Sequence, residues 1–237
     1  MNVALVFAGG SGVRMGSRIP KQFLELGGKP VLVRTLELFQ GHDEIDAVFL
    51  VVNADYREEA ERLCAEYGLS KVMGYAAGGD SAQESIYRGL CALAERVAGD
   101  TVVLIHDGVR PYVTPEVVSA NIAAVKVYGS AITYTPCYET IVLSKDGARI
   151  DAIPTRRESY TAQAPQSFRL AEILAAHARI RARPEGYTDM VDQATICFTL
   201  GMNVHLVPGN RGNVKVTTPE DLVTLEALMA WRARKTI

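Results

Sequence analysis

The chain has 237 residues, 48% of them hydrophobic and 22% charged, with a formal net charge of −2. Such a chain can bury a sizeable core but carries no general electrostatic footprint for nucleic acid or an anionic membrane, so an anionic ligand needs a local cluster of cations. Cys64, Cys91, Cys137 and Cys197 form no C-x-x-C pair and no histidine stands at metal-ligand spacing, which reads as reduced thiols in a cytoplasmic protein with neither signal peptide nor membrane span.

Val3–Phe7 reads as a buried strand. A turn with three glycines in four positions, Gly9-Gly10-Ser11-Gly12, follows it and leads to two cations, Arg14 and Lys21. Further on, the strands expected at Ala47–Val52, Thr101–Ile105 and Ala131–Thr135 alternate with helical patterns over Val31–Gln40, Tyr56–Tyr67, Ser81–Val97 and Pro115–Tyr128. Ile86, Leu90, Leu93 and Val97 share one helical face. Thr114-Pro115-Glu116 and Thr218-Pro219-Glu220-Asp221 mark two helix starts, each with a capping hydroxyl and a first-turn proline. Strand–helix alternation predicts an α/β fold with a mostly parallel sheet. One stretch breaks it: Thr140–Leu143 and Arg149–Ile153 flank a turn at Asp146-Gly147 and read as a hairpin, either a surface ribbon or an arm reaching a partner.

The glycine turn suits a polyphosphate, because unhindered backbone amides are followed by fixed positive charge. A dinucleotide site would want a third glycine where Met15 stands, and a P-loop would need Gly-Lys-Ser/Thr. His106-Asp107-Gly108-Val109-Arg110-Pro111 follows a strand, where open α/β sheets bind ligands. Asp107 there could hold Mg²⁺ or a ribose hydroxyl, or be a simple turn residue; His106 reads at least as well as a structural histidine as a catalytic one. Gly78-Gly79-Asp80-Ser81-Ala82-Gln83-Glu84-Ser85 opens a helix and could read a base edge, although a glycine turn with capping groups looks the same. Arg156-Arg157 and Lys215 add more cations than one phosphate group needs, which suits a site with two phosphorylated substrates.

These motifs, with Ala8-Gly9-Gly10, Pro20-Lys21-Gln22, Ala164-Pro165-Gln166 and Lys215-Val216-Thr217-Thr218, give the chain a resemblance to the cytidylyltransferases that load CTP onto sugar-alcohol phosphates. That family includes the 2-C-methyl-D-erythritol 4-phosphate and ribitol 5-phosphate enzymes. The resemblance implies a Rossmann-like three-layer fold in a single domain, 1–237, with a β-hairpin arm at about 137–160 that serves dimerisation. It implies that Arg14, Lys21, Arg156 and Lys215 are catalytic. CTP would be bound by Phe7, Ala8, Gly9, Gly10, Ser11 and Gly12, by Gly79, Asp80, Ser81, Ala82, Gln83, Glu84 and Ser85, and by Asp107 and Gly108. Asp107 would hold Mg²⁺ or the ribose. The acceptor's phosphate would be gripped by Arg110, Thr140, Arg156 and Lys215, with Thr140 and Arg156 acting across a homodimer that shares its active sites.

Ala164 replaces a threonine expected before Pro-Gln in the methylerythritol pattern, Glu139 an expected aspartate, and Ala82 a basic residue. The resemblance therefore favours D-ribitol 5-phosphate as acceptor, with methylerythritol phosphate as the alternative. A nicotinamide dehydrogenase is disfavoured by Met15 and Lys21, and a non-catalytic nucleotide sensor by the presence of both Arg14 and Lys21.

Overall fold

The computed structural model describes residues 1–9 and 19–235. Nine strands are present among them: β1 (Asn2–Ala8), β2 (Glu25–Leu26), β3 (Lys29–Pro30), β4 (Ala47–Val52), β5 (Val72–Ala77), β6 (Val102–Asp107), β7 (Ser130–Pro136), β8 (Tyr160–Arg169) and β9 (Leu206–Pro208). The helices are α1 (Val31–Gln40), α2 (Arg57–Glu66), α3 (Ala82–Ala94), α4 (Pro115–Tyr128), α5 (Leu170–Arg181), α6 (Gln193–Thr199) and α7 (Pro219–Lys235).

Seven strands form one sheet in the order β5-β4-β1-β6-β8-β7-β9, while β2 and β3 make a small separate ribbon. All pairings in the large sheet are parallel except those of β8, which runs antiparallel to both neighbours. The apolar runs of β1, β4 and β6 are buried on both faces, as continuous hydrophobic strands must be in a covered sheet. Successive side chains leave opposite faces. Ala4, Val6, Val48, Leu50 and Leu104 pack with Leu32, Leu36 and Phe39 of α1, Ala60 of α2 and Val118, Ile122 and Val125 of α4. Val3, Leu5, Phe49, Val51, Val103 and Ile105 pack with Ile86, Leu90 and Leu93 of α3, with Ile173 and Ile180 of α5 and with Ile196 of α6. The result is the three-layer α/β arrangement that the sequence predicts.

From β1 the sheet first grows through β4 to β5, and the chain then crosses to the other side of β1 to lay down β6. This reversal leaves a crevice at the carboxyl ends of β1 and β6. Gly108 closes its floor. A Cβ there would lie 2.9 Å from Ala8 Cβ and 3.2 Å from the Phe7 carbonyl oxygen, so any larger residue forces the two strand ends apart.

Four local expectations are corrected. The strand expected to end at Ile105 continues to Asp107, because His106 and Asp107 still pair with Val6 and Phe7. The third helix ends at Ala94, with Val97 beyond it but packed on the same core. Thr114 makes no capping hydrogen bond; Pro115 starts α4 and the Thr114 amide donates to Asn210 Oδ1 at 3.3 Å. The hairpin is reduced to one bridge, Leu143 to Ala152, in an exposed stretch between β7 and β8. Its turn does form, with Asp146 Oδ1 accepting from the Ala148 and Arg149 amides at 2.9 and 3.0 Å. A two-stranded ribbon with no layer to pack on has little to stabilise a longer ladder.

Candidate active site

β6 ends in His106 and Asp107, whose side chains leave opposite faces of the sheet. Asp107 is 6% exposed and accepts from Arg110 Nε at 2.7 Å and from Lys215 Nζ at 2.6 Å. The turn after β6 delivers Arg110, whose Nη1 also donates to the Asn213 carbonyl at 2.8 Å. Lys215 arrives from the segment before α7, anchored where the Val216 amide donates to the Val109 carbonyl at 2.9 Å. Burial alone would push the Asp107 carboxyl up, but Lys215 and Arg110 outweigh it and hold it at about 2. Asp107 is therefore a fixed anion and no proton carrier at neutral pH. One carboxylate against two cations leaves the cluster net positive, which suits a phosphate.

His106 is fully buried, with its ring edge-on to Phe39 and its Nε2 3.1 Å from the Arg110 carbonyl. Burial lowers its pKa to about 4, so the neutral imidazole donates from Nε2 and braces the turn that carries Arg110. That is the structural reading of this histidine.

A cleft of about 450 Å³ opens on one side of the cluster. Phe7 and Ala8 line it from the end of β1 and Gly9 just beyond, Lys21 and Gln22 from a short 3₁₀ turn, and Gly79, Asp80 and Ser81 before α3 with Ala82 and Ser85 in its first turn. Buried Gln22 donates to the Ala8 carbonyl at 3.0 Å, which ties the turn carrying Lys21 to the end of β1. Ser85 Oγ accepts from the Gly79 amide at 2.9 Å and donates to the Ser81 carbonyl at 2.8 Å, fixing the loop before α3. Gly9 and Gly78 both crowd this hydroxyl, since a Cβ on either would stand 3.2 Å from it.

A second cleft of about 240 Å³ lies on the other side. Its walls are Gln83 and Ile86 of α3, Arg110, the stretch Ala162, Gln163, Ala164 and Gln166 of β8, and Val191, Asp192 and Gln193 at the start of α6. Gln166 Nε2 donates to Asp192 Oδ2 at 2.9 Å and its Oε1 accepts from the Ala194 amide at 3.0 Å. Asp192 also caps α6 through the Thr195 amide at 2.8 Å. Phe7, Ala82, Asp107 and Lys215 line both clefts, so two ligands would meet at the cation cluster.

Of the residues expected from the sequence, Phe7, Ala8, Gly9, Lys21, Gly79, Asp80, Ser81, Ala82, Ser85, Asp107 and Lys215 line the larger cleft. Arg110 and Gln83 line the smaller one. Glu84 turns away to Arg88 and Arg181, and Gly108 lies beneath the strand ends. Thr140 and Arg156 are exposed on the arm and line neither cleft of their own chain. Gly10, Ser11, Gly12 and Arg14 lie outside the described residues. Sequence reasoning missed Asn53 in the larger cleft and Gln163, Asp192 and Gln193 in the smaller. Asp192 carried a readable signal, a capping residue three positions before Thr195; the two glutamines carried none.

The family model for 2-C-methyl-D-erythritol 4-phosphate cytidylyltransferase, IspD, matches residues 2–231. A ribitol-5-phosphate cytidylyltransferase of Streptococcus agalactiae serotype III is 41% identical over 238 residues, covering 100% of this chain and 99% of the relative. A 2-C-methyl-D-erythritol 4-phosphate cytidylyltransferase of Geobacter metallireducens is 41% identical over 228 residues, covering 95% and 96%. The crystal structure of 4-diphosphocytidyl-2C-methyl-D-erythritol synthase from Anaerococcus prevotii superposes with a TM-score of 0.82 at 27% identity, over 97% of this chain and 96% of that one.

Proposed function

The chain belongs to the IspD family of CTP-dependent cytidylyltransferases, and from that premise we propose that it transfers CMP from CTP to D-ribitol 5-phosphate, giving CDP-ribitol and pyrophosphate. The larger cleft takes the nucleotide and the smaller one the acceptor. An oxygen of the acceptor's phosphate attacks the α-phosphorus; the new P–O bond forms as the α–β P–O bond breaks, and pyrophosphate carries away the electron pair. A phosphate monoester loses its second proton near pH 6, so no side chain has to act as base. A site whose carboxylate sits at about 2 is compatible with that economy. What the protein supplies is position and positive charge.

Lys215, at the junction of the clefts, neutralises charge on both phosphates, with Arg110 on the acceptor side. Lys21 and Arg14 serve the nucleotide and the departing pyrophosphate. The amides of Phe7 to Gly12 and Gly79 to Ser85, with Gly108 beneath them, hold the nucleotide. Among the described residues no group of three His, Cys, Asp or Glu could hold a metal alone. Mg²⁺ does not require one, because it keeps several waters and binds through one or two carboxylates plus substrate phosphates. Asp107 fits that demand as a single carboxylate at the phosphate position, and the ion would supply further neutralisation of the triphosphate.

The arm is assigned to a homodimer. Thr140 and Arg156 would reach the acceptor cleft of a second copy, and the exposed Tyr138, Val142, Leu143, Ile150 and Ile153 would be covered there.

Identity does not choose the acceptor, at 41% to a relative of each name. The observation that carries ribitol 5-phosphate is that two departures from the methylerythritol pattern, Ala82 and Ala164, line one cleft. Purified protein with CTP and Mg²⁺ should release pyrophosphate with D-ribitol 5-phosphate at a kcat/KM well above that with 2-C-methyl-D-erythritol 4-phosphate. The reverse preference would overturn the acceptor assignment in favour of isoprenoid precursor synthesis.

A further inference from the structure

A line of four hydrogen-bonded side chains ends at the smaller cleft. Tyr187 Oη lies 2.6 Å from His177 Nδ1, His177 Nε2 lies 2.7 Å from Gln193 Oε1, and Gln193 Nε2 donates to Gln83 Oε1 at 3.1 Å. His177, Gln193 and Gln83 are 0%, 2% and 3% exposed. An amide oxygen only accepts, so the His177 hydrogen sits on Nε2, Nδ1 accepts, and the Tyr187 hydroxyl donates. Burial pushes the Tyr187 hydroxyl up and holds His177 down at about 4, with Arg181 and Glu84 the charged groups acting on it. The line therefore keeps one direction through neutral pH. At its end Gln83 has spent its oxygen on Gln193, and no described residue accepts from its Nε2. That nitrogen is not sealed in the protein; it opens on the smaller cleft, where an accepting ligand atom can take the place of water.

We infer that Gln83 is an acceptor-specificity residue whose Nε2 donates to a hydroxyl oxygen of the polyol chain, and that His177, acting through Gln193, is the residue that positions it. The inference rests on the smaller cleft being the acceptor cleft. Arg110 and Lys215 line the same cleft and attract the phosphate end of the acceptor, which leaves the neutral amide for the neutral end. A hydroxyl satisfies that amide, whereas hydrogen or methyl in its place leaves the donor unpaired. This separates Gln83 from the neighbours with which the sequence grouped it, since Gly79, Asp80 and Ser81 line only the nucleotide cleft.

The test is steady-state kinetics of the full-length enzyme with D-ribitol 5-phosphate and its monodeoxy analogues. Gln83→Leu removes the amide; Gln83→Glu removes the donor and keeps an oxygen for Gln193 but adds a charge, so it is read from the ratio between analogues, with its fold checked by circular dichroism. Gln83→Leu should raise acceptor KM about 3- to 10-fold, the worth of one neutral hydrogen bond, and Gln83→Glu by more because its carboxylate repels the acceptor's phosphate, with CTP KM in Gln83→Leu within about twofold of wild type. One deoxy analogue should be disfavoured by the Gln83→Leu factor in wild type and not in Gln83→Glu. His177→Phe should raise acceptor KM in the same direction while sparing CTP. Discrimination against every analogue that persists in Gln83→Glu, or a CTP KM that rises with the acceptor KM in Gln83→Leu, would overturn the inference. If wild type released no pyrophosphate with any polyol phosphate, the functional reading itself would fall, a result the variants cannot mimic.

Discussion

Replacing Asp107 by asparagine removes a charge and keeps a shape. The folded protein lowers this carboxyl from 3.8 to about 2, a preference for the ionised form of roughly 2.5 kcal/mol at neutral pH. That is what remains after the cost of burial, and with a side chain only 9% exposed it needs little discount for solvent screening. Asparagine resembles the protonated acid, so Asp107→Asn should lose on the order of 2–3 kcal/mol, or about 5–10 °C in Tm. The sign with pH follows from the lowered value. The contribution is complete above 3.8 and is lost as pH falls through about 2, so the gap between wild type and variant should be constant from about pH 7 to 5. Urea unfolding in metal-free, nucleotide-free buffer measures it at low and high salt. Arg110, 14% exposed, should keep much of the gap in both, while the 40% exposed Lys215 loses part of its share at high salt, because screening acts mainly on exposed charge. Glu59→Gln is the control. It breaks a 2.8 Å pair with Arg62 whose side chains are 58% and 42% exposed, and it should change nothing measurable. An unchanged midpoint in Asp107→Asn, or a gap that high salt abolishes, would refute the buried-cluster argument.

Three other outcomes are expected. Lys21→Ala should lower kcat by about 10²- to 10³-fold, as the loss of one charge-stabilising group does, while CTP affinity measured by calorimetry changes less; equal losses would make Lys21 a binding residue. Arg156→Ala and Lys21→Ala are each expected to be nearly inactive alone, but mixed dimers carrying one on each subunit should recover one working site. Failure of the mixture to recover activity would argue against sites shared across the interface. His177 should make the protein acid-sensitive. Its value falls from 6.5 to about 4 on folding, so its contribution is complete above 6.5 and lost as pH falls towards 4, on the order of 3 kcal/mol. His177→Gln should flatten that slope in urea titrations between about pH 6.5 and 4.5.

The layers and the crevice were legible in the sequence because local rules set them. Val3–Phe7 and Ala47–Val52 are apolar runs that only a covered sheet can accommodate, and Val31–Gln40 and Pro115–Tyr128 were bounded to the residue. Glycines and cations beside strand ends then pointed to the cleft at the ends of β1 and β6, which Asp107 and Lys215 line. The second wall was not legible. β8 mixes glutamine, serine and proline, and runs from three exposed residues into five buried ones without alternation, so no period separates it from loop; its strand character comes from lying between β6 and β7. The arm misled in the opposite direction, since a good turn at Asp146-Gly147 does not make a ladder without a surface to pack on.

Sequence alone therefore determined the three-layer fold and the strand ends where a cleft opens, because strand burial, helix periodicity and glycine turns are encoded within a few residues of one another. Tertiary structure alone decided which side chains meet. The Val216–Val109 backbone bond brings Lys215 to Asp107, and the approach of α6 and β8 to α3 makes Gln83 a wall of the smaller cleft while Gly79, Asp80 and Ser81 line the larger. Such meetings depend on burial and hydrogen-bond satisfaction summed over distant segments, which no local pattern records.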